Sequence, residues 1–244
     1  MKLNHVSKYY EGVASLPAFI LEDLVIDPLP EEITPEFYNQ NFKDSNHYAE
    51  SQTYLRNKIK AKHHQMEHIK QQYQSIVNEI NTFLPDILKK PRLFNVWGNL
   101  TDEIYVAPDM EILEDKPGFY MEPHIDNRRV GSVISINLRD NAPGTGTSFY
   151  NLTELDRMNV KPWFINDEGR KESLKKKQFM AKKKVLYDSK YLFTGPSELG
   201  TGILWWNHHT TMHGIENYSD KNRYTLYSIT PTASYFEADN QKEI

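Results

Sequence analysis

From Arg92 to Thr230 the apolar residues come in short runs, each closed by a turn signal, and this pattern narrows the possible folds more than any other feature. Candidate strands are Arg92–Trp97, Glu103–Ala107, Gly118–Asp126, Val130–Leu138, Thr147–Tyr150, Gly202–Trp206 and Arg223–Thr230. Ile134, Ile136 and Leu138 share one face of their run, and the Asn141-Ala-Pro-Gly-Thr-Gly turn leads into Thr147. Many short strands with frequent turns predict an antiparallel sandwich or barrel. Upstream, residues 1–40 read as short extended pieces broken by prolines, with Phe19–Ile26 the most strand-like.

Between them lies a stretch of different character. From about Asn46 to Leu84 there is no proline or glycine, and apolar residues recur three and four apart from Leu55 to Leu84. That spacing predicts one long or two shorter amphipathic helices, ended by Pro85. The expected class is therefore α+β: a single domain over 1–244, helical support at 46–84 and a strand-built core at 92–232. Residues 151–199 form a lysine-rich insertion or lid, with a helix expected around Glu172 to Lys184. Lys161–Lys190 holds ten Lys/Arg against four Asp/Glu, a net of +6 that leaves −10 for the remainder. Such a run reads as a solvated face or as a lid attracting an anionic substrate.

Composition excludes several functions. With no cysteine there is no disulfide framework, thiolate zinc site, iron–sulfur cluster or Cys nucleophile. The net charge of −4 gives no general nucleic-acid footprint. No apolar run reaches the roughly 18 residues of a membrane span, and the N-terminus lacks the apolar core of a signal peptide. A cytoplasmic location is expected; the oligomeric state is open.

The chemistry is expected at His124-Ile-Asp126. Side chains two apart on an extended segment point the same way, so an imidazole nitrogen and a carboxylate oxygen stand together. His213, 89 positions later, supplies a third ligand, and Arg223 follows ten residues after it at the start of a strand shared with Thr225 and Tyr227. Two His and one carboxylate occupy one face of an Fe(II) octahedron and leave three positions open. A 2-oxo acid can take two of these and dioxygen the third. A buried Arg, with its planar fork, suits the acid's far carboxylate better than Lys, and Thr225 can donate to the same group.

This set resembles the Fe(II)/2-oxoglutarate-dependent dioxygenases, and among them the prolyl-hydroxylase-like group. The likeness spans about residues 92–232. The family's H-x-D pair falls on His124 and Asp126, its distal His on His213 and its cosubstrate cation on Arg223. Gly200-Thr-Gly-Ile-Leu-Trp-Trp-Asn207 and Gly144-Thr-Gly-Thr147-Ser-Phe149 are similar to two further family segments. The resemblance implies a double-stranded β-helix (jelly-roll) core and Fe(II), 2-oxoglutarate and dioxygen as cofactors. It implies hydroxylation of an unactivated C–H bond in an amino acid, peptidyl side chain or small metabolite. Prolyl hydroxylases carry a Tyr three residues before the first His; here that position is Met121. Tyr120 or Tyr105 is left as the tyrosine that assists cosubstrate binding, with Tyr120 preferred. A carboxylate at position 126 favours hydroxylation over halogenation, and Ile229, where nucleic-acid dealkylating relatives carry a second Arg, argues against base repair.

Each residue also has a plainer reading. His124 and Asp126 could flank a surface turn, His213 could be a loop His, and Arg223 a strand-edge residue. His208 and His209 are rival ligands, and Trp205, Trp206 and Tyr227 read as packing residues. Two other functions stay open: a jelly-roll protein that binds a ligand without catalysis, and a zinc hydrolase built on His64-Gln-Met-Glu67-His68, which matches H-x-x-E-H.

Overall fold

The structure, a computed structural model, describes residues 1–29, 38–39, 55–60, 67–88, 110–126, 130–152, 163–165, 171–173, 185–208 and 210–231. Strands dominate them. They are β1 Lys2–His5, β2 Ala18–Glu22, β3 Tyr38–Asn39, β4 Arg56–Lys60, β5 Glu111–Asp115, β6 Tyr120–His124, β7 Val130–Asn137 and β8 Thr147–Tyr150. There follow β9 Trp163–Ile165, β10 Lys171–Ser173, β11 Tyr191–Thr194, β12 Gly202–Trp206, β13 Met212–Glu216 and β14 Arg223–Pro231, while α1 spans Glu67–Leu88.

An eight-stranded sheet runs β1-β2-β12-β7-β14-β5-β4-β3 and a four-stranded sheet runs β11-β8-β13-β6. Along the chain, β5, β7, β12 and β14 enter the large sheet while β6, β8, β11 and β13 enter the small one. Every pairing in both sheets is antiparallel. Eight strands that keep crossing between two antiparallel sheets form a jelly roll. The remaining strands of the large sheet lengthen it: β1 and β2 beyond β12, β3 and β4 beyond β5.

Alternation along the strands divides the apolar side chains between two layers. On the outer face of the large sheet, Ile134, Ile136, Leu204, Trp206 and Leu226 pack beneath Ile69, Tyr73, Ile76, Val77, Ile80 and Leu84 of α1. On the inner face, Val133, Ile203 and Trp205 meet Phe149 and Phe193 of the small sheet. Adjacent tryptophans thus part: Trp206 goes to the helix layer, and Trp205 goes between the sheets beside Tyr227.

The helical expectation at 46–84 needs correction. Arg56–Lys60 is a strand paired with β5, and α1 begins only at Glu67. Local composition favoured a helix there, but pairing with a distant strand overrode it. Pro85 lies inside α1, which runs on to Leu88; a missing N–H in the last turn removes one bond without ending the helix. Among the described residues α1 is thus the one supporting α-helix of the N-terminal region. Farther on, Lys171–Ser173 is a strand paired with β9, where a helix from Glu172 was expected. Residues 92–97, 103–107 and 174–184 lie outside the described residues, as does His64. Among the described residues no helix is long and apolar enough to cross a membrane.

Candidate metal and anion site

β6 and β13 are neighbours in the small sheet, and their register sets His213 directly opposite His124. Two strand ends from opposite parts of the chain thereby put their imidazoles 4.5 Å apart, centroid to centroid. Asp126, just past the end of β6, completes the group. Its Oδ1 lies 3.7 Å from His124 Nε2 and its Oδ2 3.6 Å from His213 Nε2. The three ligand atoms all fall within 4.8 Å of one another, the one such group of three or more among the described residues. Asn207, just past the end of β12, donates its amide to the Asp126 carbonyl at 3.1 Å and to the Val130 carbonyl at 3.1 Å, which ties the two ends of the segment after β6 together.

Both rings are oriented by the backbone. His124 Nδ1 lies 2.9 Å from the Glu122 carbonyl, and His213 Nδ1 lies 2.9 Å from the Thr211 carbonyl. A carbonyl only accepts, so each Nδ1 carries the proton and each Nε2 presents a lone pair to the shared centre. Burial pushes His213 down to about 4 against the opposing pull of Asp126, so the ring is neutral at ordinary pH. Burial acts to raise the Asp126 carboxyl, but His213 and His124 outweigh it together and hold the group below its usual value. Asp126 Oδ2 is buried with no hydrogen-bond partner among the described residues. A lone pair and an ionised carboxylate oxygen both only accept, so His213 Nε2 and Asp126 Oδ2 cannot satisfy one another. A divalent cation there would have all three side chains as ligands, and the donor set suits Fe(II). Trp205 and Phe149 form the apolar wall, their rings 4.8 Å and 6.0 Å from that of His213.

A second polar group lies farther along the same interior. Arg223 opens β14 opposite Asp115 at the end of β5. Its Nη1 donates to Asp115 Oδ2 at 2.7 Å and to Thr225 Oγ1 at 3.4 Å, while its Nε is buried with no partner among the described residues. Arg56, from β4, grips the same carboxylate with both edges of its fork, Nε to Oδ1 and Nη2 to Oδ2. Its guanidinium stacks on Phe119 at 4.1 Å, and Nη1 approaches Met121 Sδ at 3.9 Å. Burial draws the Arg223 guanidinium down from its usual value, and Asp115 draws it back up.

The link between the two groups is a β-bulge. Between His213 and Ile215 β13 advances two residues, while β6 runs three from His124 back to Met121. Met121 therefore pairs with Ile215 on the side of His213, about two residues or roughly 7 Å along the strand. Tyr120 pairs instead with Glu216 and packs against Leu152, Tyr187 and Met212 on the opposite face. The expected cosubstrate tyrosine is thus directed away from Arg223, and Met121 takes the inner position. Tyr105 lies outside the described residues.

Of the rival ligands, His208 bonds Thr210 in the turn before β13, and His209 lies outside the described residues. Glu67 and His68 are exposed on α1, where His68 stands 3.9 Å from Asp27. Sequence reasoning missed Asp115 and Arg56. A buried Arg needs an acidic neighbour, which could have directed attention to Asp115, but no local signal marks Arg56.

No protein-family model matches the chain, and no curated protein matches it. Solved structures do. A Trichoplax adhaerens prolyl hydroxylase in complex with a hypoxia-inducible-factor peptide fragment is 10% identical, with TM-score 0.45 over 93% of this chain and 88% of that one. The S. alaskensis protein EctD, solved with 2-oxoglutarate and 5-hydroxyectoine, is 14% identical, with TM-score 0.44 over 91% and 74%. The alpha-ketoglutarate-dependent carbocyclase SnoK from nogalamycin biosynthesis is 14% identical, with TM-score 0.43 over 91% and 81%. The second was thus solved with 2-oxoglutarate bound, and the third is named as dependent on it. At such identities and TM-scores, the reaction is decided by the geometry of this chain's own site.

Proposed function

We propose that the protein is an Fe(II)- and 2-oxoglutarate-dependent oxygenase that hydroxylates an unactivated C–H bond of an amino acid, peptidyl side chain or small metabolite. The reading rests on one observation: two imidazoles with Nδ1 tied to carbonyls turn their Nε2 atoms toward an unsatisfied buried carboxylate oxygen. His124, Asp126 and His213 would hold the metal. When bound, iron with 2-oxoglutarate and dioxygen supplies an oxidative decarboxylation to succinate and carbon dioxide, the second oxygen atom entering the substrate. The chain's own residues position and shield. Arg223, with Thr225 beside it, pairs with the distal carboxylate of the cosubstrate through a planar fork that Lys lacks. Trp205 and Phe149 keep water from one side of the site, and the low dielectric there strengthens each charged contact. Tyr120 is left out of this arrangement because it faces the other way.

The test is direct. Anaerobic Fe(II) and 2-oxoglutarate added together should give a weak visible charge-transfer band, and air should then release succinate. Absence of both signals in metal-replete protein would refute the reading. Stoichiometric binding of 2-oxoglutarate without any succinate would instead indicate a binding protein. Arg223→Gln should weaken 2-oxoglutarate about 30-fold or more, since losing one partner of a buried charge pair costs about 2–5 kcal/mol.

A further inference from the structure

Arg223 is well placed to receive a carboxylate only if it is not already neutralised, and Asp115 stands ready to neutralise it. The two face each other across β14 and β5, and both are fully buried. A buried Asp and a buried Arg with nothing else nearby would close into a bidentate pair, because either one left uncompensated is costly. The structure holds a different arrangement. Arg56 takes both oxygens of Asp115 with its own fork, and Arg223 is left with one shared bond to that carboxylate, a long one to Thr225 and a buried Nε that has no partner among the described residues. Two guanidiniums on one carboxylate carry a net charge of +1, in a place where water is largely excluded.

We propose that Arg56 is a positioning residue for anion recognition: by occupying Asp115 it leaves the charge of Arg223 uncompensated, so that the site binds acids with a distal carboxylate. This rests on the 2-oxoglutarate reading above and extends it to a residue from β4, outside the eight strands of the jelly roll. Phe119 and Met121 fix the Arg56 guanidinium from two further sides. An incoming carboxylate then brings the group to charge balance, whereas a 2-oxo monoacid cannot.

The test uses the full-length protein loaded with Co(II), whose visible absorption reports both metal and ligand binding without turnover. Arg56→Met is expected to raise the Kd for 2-oxoglutarate about tenfold or more, with Co(II) affinity and the Kd for pyruvate, which has no distal carboxylate, unchanged. Removing the quenching charge as well, in Arg56→Met/Asp115→Asn, should recover most of the lost affinity, a rescue that a merely structural role would not produce. Arg56→Lys keeps the charge and should bind 2-oxoglutarate better than Arg56→Met. Wild-type affinity in Arg56→Met, a double variant no tighter than the single one, or equal losses for 2-oxoglutarate and pyruvate would each overturn the proposal. An Arg56→Lys protein as weak as Arg56→Met would overturn it as well. If the wild type binds metal but no 2-oxoglutarate, the proposed function itself fails, and this inference with it.

Discussion

Asp126 is 11% exposed, with one oxygen that has no hydrogen-bond partner among the described residues. A buried unsatisfied carboxylate is costly, so metal binding should be read directly as stability. Co(II) at about a hundred times its Kd should stabilise the protein by about 2.7 kcal/mol. Thermal denaturation with and without metal checks this, and Asp126→Ala should remove the shift. Acidity acts on the same centre. His213 titrates near 6.5 when unfolded and at about 4 when folded. Between those values the unfolded chain binds the extra proton, so stability must fall as pH drops through the window. Melting temperatures of metal-free protein should therefore decline from pH 7 toward pH 4.5, and His213→Gln should flatten part of the decline.

At the scale of elements, the site depends on how closely β13 approaches β6. Gly214 follows His213, and a Cβ there would stand 2.7 Å from the Met121 carbonyl oxygen. Backbone cannot yield as a flexible side chain does, so the two strands would have to separate where they bring His124 and His213 together. Gly214→Ala should cost about 1–3 kcal/mol, the usual range for overpacking. Unlike an ordinary destabilising change, it should also weaken metal binding in the molecules that remain folded. Denaturant titration alongside Co(II) titration separates the two effects. Arg56 shows the same dependence from another side, because only the pairing of β4 with β5 carries it to Asp115.

Across the whole molecule the large sheet separates stability from chemistry. Its outer face buries the apolar stripe of α1, and its inner face carries Arg223, Thr225 and Trp205 toward the small sheet. Ile80 is fully buried in the outer layer. Ile80→Ala should therefore cost about 2–5 kcal/mol, the range for large cavities, while metal affinity per folded molecule stays at the wild-type value. A lower affinity would mean that the two layers are coupled through the sheet. The strand runs from Gly118 onward and the alternation within Val130–Leu138 were legible because period-two patterns are local and need no partner to be seen. The spacing from His124 to Asp126, and from His213 to Arg223, was legible for the same reason. Tertiary structure alone decided the rest. The bulge that turns Met121 inward and Tyr120 outward exists only in the pairing of β6 with β13. Arg56–Lys60 became a strand because β5 offered it a ladder, against a helical local composition. Asp115 acquired its role from two arginines, one 59 positions before it and one 108 after. Local order is written in neighbouring residues, whereas charge balance in a buried site is set by whichever distant side chains the fold brings together.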